Sequence, residues 1–252
     1  MTVSAYCLAF ALSGLMGAAC LASAGKTQAG ELNGVVELFT SQGCASCPPA
    51  DAELARLAKR DDVLALSYHV DYWNYLGWVD TLSSRANTER QYGYARTLKR
   101  NNVYTPQAVI NGQDHANGAE GDTIAELLGR LAASGNGLTV PVSASRSPDG
   151  LSIAVGSGEG KANIVAVYFT DESTVKIERG ENAGQTVTYH HAVEALETVG
   201  MWGGEAVTLK LPASVMSARP GRGCAILLQQ VGHDGAPGRI LGAALIEPET
   251  PA

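Results

Sequence analysis

Positive charge is in short supply in this chain. It carries 18 Lys and Arg against 25 Asp and Glu, a net charge of −7 over 252 residues. Nucleic acid and anionic membrane surfaces both reward a basic face, so neither is an expected partner. Neither internal repeats nor low-complexity tracts stand out, and 45% hydrophobic with 17% charged residues describes a globular protein rather than a disordered one. The length suffices for one large domain or two modest ones.

Charge is missing altogether between Ala5 and Ala24. With the small-x-small pattern Ala22-Ser23-Ala24, residues 1–24 are expected to be a signal peptide, which places the protein in the periplasm or outside the cell. No Lys or Arg precedes the apolar run, so the α-amino group alone marks its start. A retained membrane anchor is the alternative, weakened by the many Gly, Ala and Ser residues. Gly17-Ala18-Ala19-Cys20 is a poor match to a lipid-attachment site. Cysteine is sparse too. Of five, cleavage removes Cys7 and Cys20 and leaves Cys44, Cys47 and Cys224. One close pair and one isolated residue do not make a stapled scaffold, so redox or metal chemistry is the better reading.

Residues 31–135 read as alternating strands and helices. Val35–Phe39 is a short buried strand, Ala50–Lys59 a helix with Leu54, Leu57 and Ala58 on one side, and Val63–Val70 a second strand parallel to the first. Ser84–Lys99 is a more polar helix, Gln107–Asn111 a strand running into a turn, and Asn117-Gly118 a second turn. Gly121–Ala133 is a helix striped with Ile124, Leu127, Leu128 and Leu131. The predicted order is β-α-β-α-β-β-α. Beyond Gly135-Asn136-Gly137 the period changes. Leu151-x-Ile153-x-Val155, Val165-x-Val167-x-Phe169 and Val207-x-Leu209-x-Leu211 alternate as half-buried strands do, while His191–Val199 reads as a short helix. Residues 138–248 are expected to form a second, β-rich, sandwich-like domain.

The chemistry concentrates at Cys44-Ala45-Ser46-Cys47, directly after the first strand and before a helix opening with Pro48-Pro49. Two thiols three positions apart at such a junction can form and break one disulfide. The upstream thiol lies at a helix N-terminus, where backbone N–H groups and the macrodipole favour a thiolate. If the Gln107–Asn111 strand runs antiparallel to the first two, its start falls on the same sheet edge, bringing Thr105 and Pro106 to the cysteines. Proline there can take the cis form and cannot donate a hydrogen bond, which leaves the Thr105 carbonyl to receive an extended substrate backbone. Taken alone, Cys-x-x-Cys is equally a static disulfide or half a metal site. With Thr105-Pro106 it resembles a thioredoxin-type site, in which Cys44 attacks and Cys47 resolves.

His69 and Asp71 sit two apart at the second strand's end, either to move protons to and from Cys47 or simply to hold the following loop. Tyr72, Trp73, Tyr75 and Trp78 crowd together, as an apolar lip for a substrate peptide or as core packing. Arg85, Arg90 and Arg96 read as a solvated helix face. Glu178–Gln185, the densest polar cluster of the second half, reads as a hairpin turn or loop, with a binding role as the alternative. His190-His191 lacks metal partners at usable spacing, and Cys224 reads as a small buried hydrophobe.

The run Val36-Glu37-Leu38-Phe39-Thr40-Ser41-Gln42-Gly43-Cys44-Ala45-Ser46-Cys47-Pro48-Pro49-Ala50-Asp51 is more specific than a redox motif. With Ser67-Tyr68-His69-Val70-Asp71-Tyr72-Trp73, Leu76-Gly77-Trp78, Val103-Tyr104-Thr105-Pro106-Gln107 and Gly180-Glu181-Asn182-Ala183-Gly184, it resembles a bacterial family of exported thioredoxin-like proteins of unknown function, the domain-of-unknown-function 1223 family. Ala45 stands where that family is expected to carry a second Ser. The resemblance implies an α/β fold: a thioredoxin-like domain, with a central mixed sheet flanked by helices, followed by the β-rich extension. It implies no established substrate.

The expected function is an exported thiol–disulfide oxidoreductase that needs no cofactor. It would use Cys44 and Cys47, with Thr105, Pro106, Tyr72 and Trp73 on the substrate side. Its partners would be cysteine-containing exported proteins or a redox partner, with no membrane once the signal is cleaved. The alternative is a non-catalytic binding protein on the same fold, its cysteines a structural disulfide or a Cu(I) site with His69.

Overall fold

The computed structural model describes residues 32–147, 149–212, 222–232 and 234–246. The expected signal peptide, with Cys7 and Cys20, lies outside the described residues. Among the described residues no helix is long and apolar enough to cross a membrane.

The first half follows the predicted order: β1 (Gly34–Thr40), α1 (Pro48–Leu57), β2 (Val63–His69), a 3-10 turn (Asn74–Leu76), α2 (Arg85–Thr97), β3 (Gln107–Ile110), β4 (Asp114–Asn117) and α3 (Gly121–Ala133). β1 and β2 are parallel, and both are buried along their whole length, as strands covered on two faces must be. β3 runs antiparallel to β1, with Gln107 opposite Phe39, so the start of β3 lies at the edge where β1 ends. Then come β5 (Val142–Ser147), β6 (Gly150–Val155), β7 (Ala162–Lys176), β8 (Thr186–Trp202), β9 (Val207–Pro212), β10 (Arg222–Val231) and β11 (Pro237–Ile246). The fold is mixed α/β. Among the described residues, eight strands form one mixed sheet in the order β11-β10-β7-β8-β2-β1-β3-β4, and β5-β6-β9 form a second, three-stranded sheet.

Side-chain alternation decides what covers each face. Val36, Leu38, Ala65, Ala108 and Ile110 meet Leu54 and Leu57 of α1 and Ile124 and Leu127 of α3. On the opposite face, Val35, Phe39, Leu64, Leu66 and Tyr68 pack with Tyr94 of α2, and that core continues into Val167, Phe169, Ala225, Leu227 and Ile240. The three-stranded sheet applies Leu151, Ile153 and Val155 to Ile164, Ala166, Ile226 and Leu228. β8 joins β2 in parallel through Ser67 and Ala192. Beside that pair, His191 adopts a φ of 47° and its Nδ1 lies 2.8 Å from the Ala65 carbonyl.

Two readings from the sequence need correction. The segment His191–Val199 is not helical but lies inside β8. Register shifts against β7 leave Glu194 and Val199 unpaired, and each extra residue stretches the two-residue alternation toward helix-like spacing. Arg90, for its part, does not lie on a solvated face. It is half-buried and ion-paired with Glu37 at 2.7 Å, while Arg85 and Arg96 are exposed and pair with Glu89 and Asp234 at 2.5 Å each. Glu37 interrupts an otherwise apolar strand and is itself fully buried, so the chain must bring it a cation.

Candidate functional site

β1 ends at Thr40, and the chain turns through Ser41–Ser46 into α1, with Cys47 as the N-cap. Two backbone bonds build the turn, Cys44 N–H to Ser41 O and Cys47 N–H to Cys44 O, each 3.1 Å. Cys44 and Cys47 sit at disulfide distance, with an S–S separation of 2.11 Å and Cα atoms 5.4 Å apart. Cys44 retains 2% of its exposure and Cys47 none.

The helix N-terminus offers the sulfurs less than the sequence suggests. Pro48 and Pro49 occupy its first positions and carry no N–H, and the next two amides, Ala50 and Asp51, both donate to the Cys47 carbonyl. Hydroxyls stand nearer the sulfur instead. Thr105 Oγ1 donates to Cys44 Sγ at 3.3 Å, and Ser46 Oγ lies 3.5 Å from the same atom. Thr105 is held in turn by the Trp73 indole N–H at 2.8 Å. Topology therefore delivers Thr105 and Trp73 to Cys44. Pro106 follows a cis Thr105–Pro106 bond and is buried at the start of β3. Tyr72 is set further back: its hydroxyl donates to Gln91 at 3.2 Å, and Gln91 donates to the Tyr104 carbonyl at 2.8 Å.

Gly118 seats this proline. Its N–H donates to the Pro106 carbonyl at 3.1 Å, and a Cβ there would stand 2.4 Å from Leu38 Cδ1 and 3.1 Å from Ala50 Cβ. Gly118→Ala is therefore expected to overpack the junction of β1, α1 and the proline, lowering stability by about 1–3 kcal/mol. A urea midpoint equal to that of the parent would show that the junction yields freely.

Beneath Cys47 lies a buried polar cluster. Asp51 is one helical turn on and accepts a 2.7 Å bond from Thr40 Oγ1, while its Oδ2 has no hydrogen-bond partner among the described residues. Burial pushes the Asp51 carboxyl up to about 7, against the opposing pull of His69 and the Thr40 hydroxyl. His69 Nδ1 lies 2.8 Å from Asp80 Oδ2, and its Nε2 is buried without a partner among the described residues. Burial alone would raise Asp80 as well, but His69 and the Gln42 and Leu82 amides hold it below the usual carboxylate range. Tyr189 of β8 packs edge-on against the His69 ring, with centroids 4.7 Å apart. The structure thus pairs His69 with Asp80 rather than Asp71, whose carboxylate accepts from Thr88 Oγ1 at 2.6 Å. Among the described residues, no group of three or more His, Cys, Asp or Glu is disposed to hold a metal ion.

Sequence reasoning passed over several residues here. Asp51 follows Cys47 by four, a spacing that puts both on one helix face. Asp80 left no periodic signal, since it reaches His69 across an irregular loop. Asn182 lay inside the polar cluster read as a hairpin loop. It does sit in the loop joining β7 and β8, but its amide donates to the carbonyls of Gln42 and Cys44, 2.9 Å each.

The sequence profile of the family described as "Protein of unknown function (DUF1223)" matches residues 35–229. No curated protein matches the chain. Among solved structures, the chain is similar to a crystal structure of a protein from Agrobacterium tumefaciens. Identity there is 50%, with 88% of this chain and 97% of that one covered and a TM-score of 0.81. It is also similar to HBP35 of Porphyromonas gingivalis at 12% identity, with 88% and 78% covered and a TM-score of 0.54, a likeness of fold alone.

Proposed function

The chain belongs to the DUF1223 family, and we propose from its own geometry that it is a thioredoxin-like thiol–disulfide oxidoreductase. On this reading it acts in the periplasm or outside the cell on cysteines of other exported proteins or of a redox partner. The observation that carries the reading is the setting of the cysteine pair. Cys44 meets the Thr105 hydroxyl from a distant antiparallel strand, and Cys47 stands one turn from a buried acid whose pKa is near 7.

Exchange proceeds by attack of a partner thiolate on Cys44 Sγ. A new S–S bond forms there, the Cys44–Cys47 bond breaks, and Cys47 leaves as a thiolate that takes the proton of Asp51. A second partner thiolate then releases Cys44. Solvent returns the two protons the partner thiols gave up, one to Asp51 and one to Cys44, so the chain gains two electrons and two protons and the partner becomes a disulfide. In the reverse direction Asp51 accepts the Cys47 proton as that sulfur closes on a mixed disulfide at Cys44. Thr105 and Ser46 supply O–H donors to whatever negative charge Cys44 carries.

A static disulfide is the competing reading, and the burial of both sulfurs favours it. A bond spanning a sequence separation of 3 constrains so short a loop that it stabilises a fold by only about 2 kcal/mol. A staple also gives no use to a carboxyl buried one turn below it. Under the exchange reading, the Trp73–Thr105 contact must open to admit a partner.

Cys47→Ser expressed in the native host tests the choice. Mixed disulfides through Cys44 are expected to accumulate and to vanish in the Cys44→Ser, Cys47→Ser double variant. Capture of nothing above that control, together with inertness of the parent toward a small disulfide substrate, retires the enzyme.

A further inference from the structure

We infer that Asn182 is a positioning residue for the Cys44–Cys47 couple, which makes the β7–β8 loop part of the redox site. The couple itself rests on the reading above. The loop is far from the cysteines in sequence and is folded for reach. Gly184 N–H donates to Ile177 O at 2.8 Å, Ile177 N–H to Gln185 O at 2.9 Å, and Ala183 N–H to Gly180 O at 3.2 Å. Gly180 and Gly184 take φ values of 80° and 86°, a region where a side chain is strained. Gly180 lies so near Trp78 that a Cβ would stand 3.3 Å from the Trp78 Cβ. This fixes the loop against the segment that follows β2.

Asn182 is 3% exposed at the centre of the loop. A primary amide has two N–H donors, and here they go to Gln42 O and Cys44 O, each 2.9 Å away. The amide oxygen accepts from Gln185 Nε2 at 3.3 Å. The Cys44 carbonyl therefore holds two donors, Asn182 Nδ2 and the Cys47 N–H that closes the turn. Clamping that carbonyl restricts how far the two sulfurs can part once the bond between them is broken. A dithiol so restricted recloses more readily, so the clamp favours the disulfide.

The test is an equilibrium with dithiothreitol. Two electrons and two protons pass from the small dithiol to the Cys44–Cys47 bond, giving the protein dithiol and oxidised dithiothreitol. Loss of two neutral hydrogen bonds, each contributing about 0.5–1.5 kcal/mol and felt mainly by the oxidised turn, sets the scale. Asn182→Ala in the full chain is expected to shift the equilibrium toward the protein dithiol by about tenfold, which corresponds to about 30 mV. Asn182→Ser, which keeps one hydroxyl donor, is expected to fall between the variant and the parent. Equilibrium constants within twofold of the parent in both variants overturn the inference. Failure of both to fold overturns it as well, by assigning Asn182 to the stability of the whole chain. The probe is a small dithiol, so inactivity toward proteins sinks the exchange reading without touching this result.

Discussion

Arg90→Ala is expected to destabilise the protein by about 3–5 kcal/mol, because it strands a buried carboxylate. Glu37 points from the middle of β1 into the core face shared by both halves of the large sheet, and it has no exposure. Arg90 Nε donates to Glu37 Oε1 at 2.8 Å, and Arg90 also donates to the Gln229 side chain at 2.9 Å and to the Tyr94 hydroxyl at 3.1 Å. The Tyr94 hydroxyl donates to the other Glu37 oxygen. Burial, with Glu37 alongside, keeps the Tyr68 hydroxyl far above its usual range, so that phenol stays neutral beside the pair. Gln229 lies on β10, so the cluster bridges strands from both ends of the chain. Truncating Arg90 removes the cation, leaves a cavity and orphans several acceptors at once. The joint replacement Glu37→Leu, Arg90→Met removes the charge from both sides and is expected to recover most of the loss. Urea midpoints of the parent and both variants check this. A loss under 1 kcal/mol for Arg90→Ala would mean that water reaches Glu37 and that its burial is not maintained in solution.

What could be read from the sequence was whatever obeys a short repeat. The β-α-β alternation and α3 from Gly121 to Ala133 follow from spacings of two or of three to four residues, whereas the antiparallel return to Thr105-Pro106 was a condition that the pairing of β3 with β1 meets. His69 falls at the end of β2, as the alternation implies, but no spacing names its partner. β2 stops at His69, so the period that would have set Asp71 beside it stops there too, and the chain bends Asp71 toward Thr88. Asp80 and Asn182 reach the site by tertiary packing alone, and a long-range hydrogen bond leaves no spacing to find. Glu37 was a visible anomaly, a charge inside an apolar strand, but naming Arg90 as its partner needed α2 in place. Asp51 shows in the sequence only as an acid in the first turn of a helix, whereas its burial, which decides its chemistry, depends on β8 and Tyr189 closing over the same cluster.

Asp51→Asn is expected to slow closure of a mixed disulfide at neutral pH by about 100-fold, the lower end of what a positioned base contributes. Asp51 N–H donates to the Cys47 carbonyl at 3.1 Å, so carboxyl and sulfur share one turn of α1, both buried. With its pKa raised to about 7, the carboxyl stands half-ionised near neutrality, able to take the Cys47 proton or return it. Asparagine keeps the size and the acceptor for Thr40 but can do neither. The parent's closure rate is expected to show an inflection near pH 7, and the variant's rate to rise steadily with pH. The same substitution carries a stability signature of fixed sign. A carboxyl whose folded pKa lies above its unfolded value of 3.8 favours the fold fully below that value, and the contribution disappears as pH rises through about 7. At 1.36 kcal/mol per pKa unit, this amounts to about 4 kcal/mol. Asparagine does not titrate, so the variant is expected to be more stable than the parent at pH 8 by about 2–4 kcal/mol, an advantage that shrinks toward zero at pH 4. Urea melts of the oxidised forms at both pH values measure it. A variant that is slower yet more stable marks a carboxyl retained for proton transfer at the fold's expense. Unchanged kinetics with unchanged stability would leave Asp51 a bystander, and the acid–base half of the exchange mechanism would fall with it.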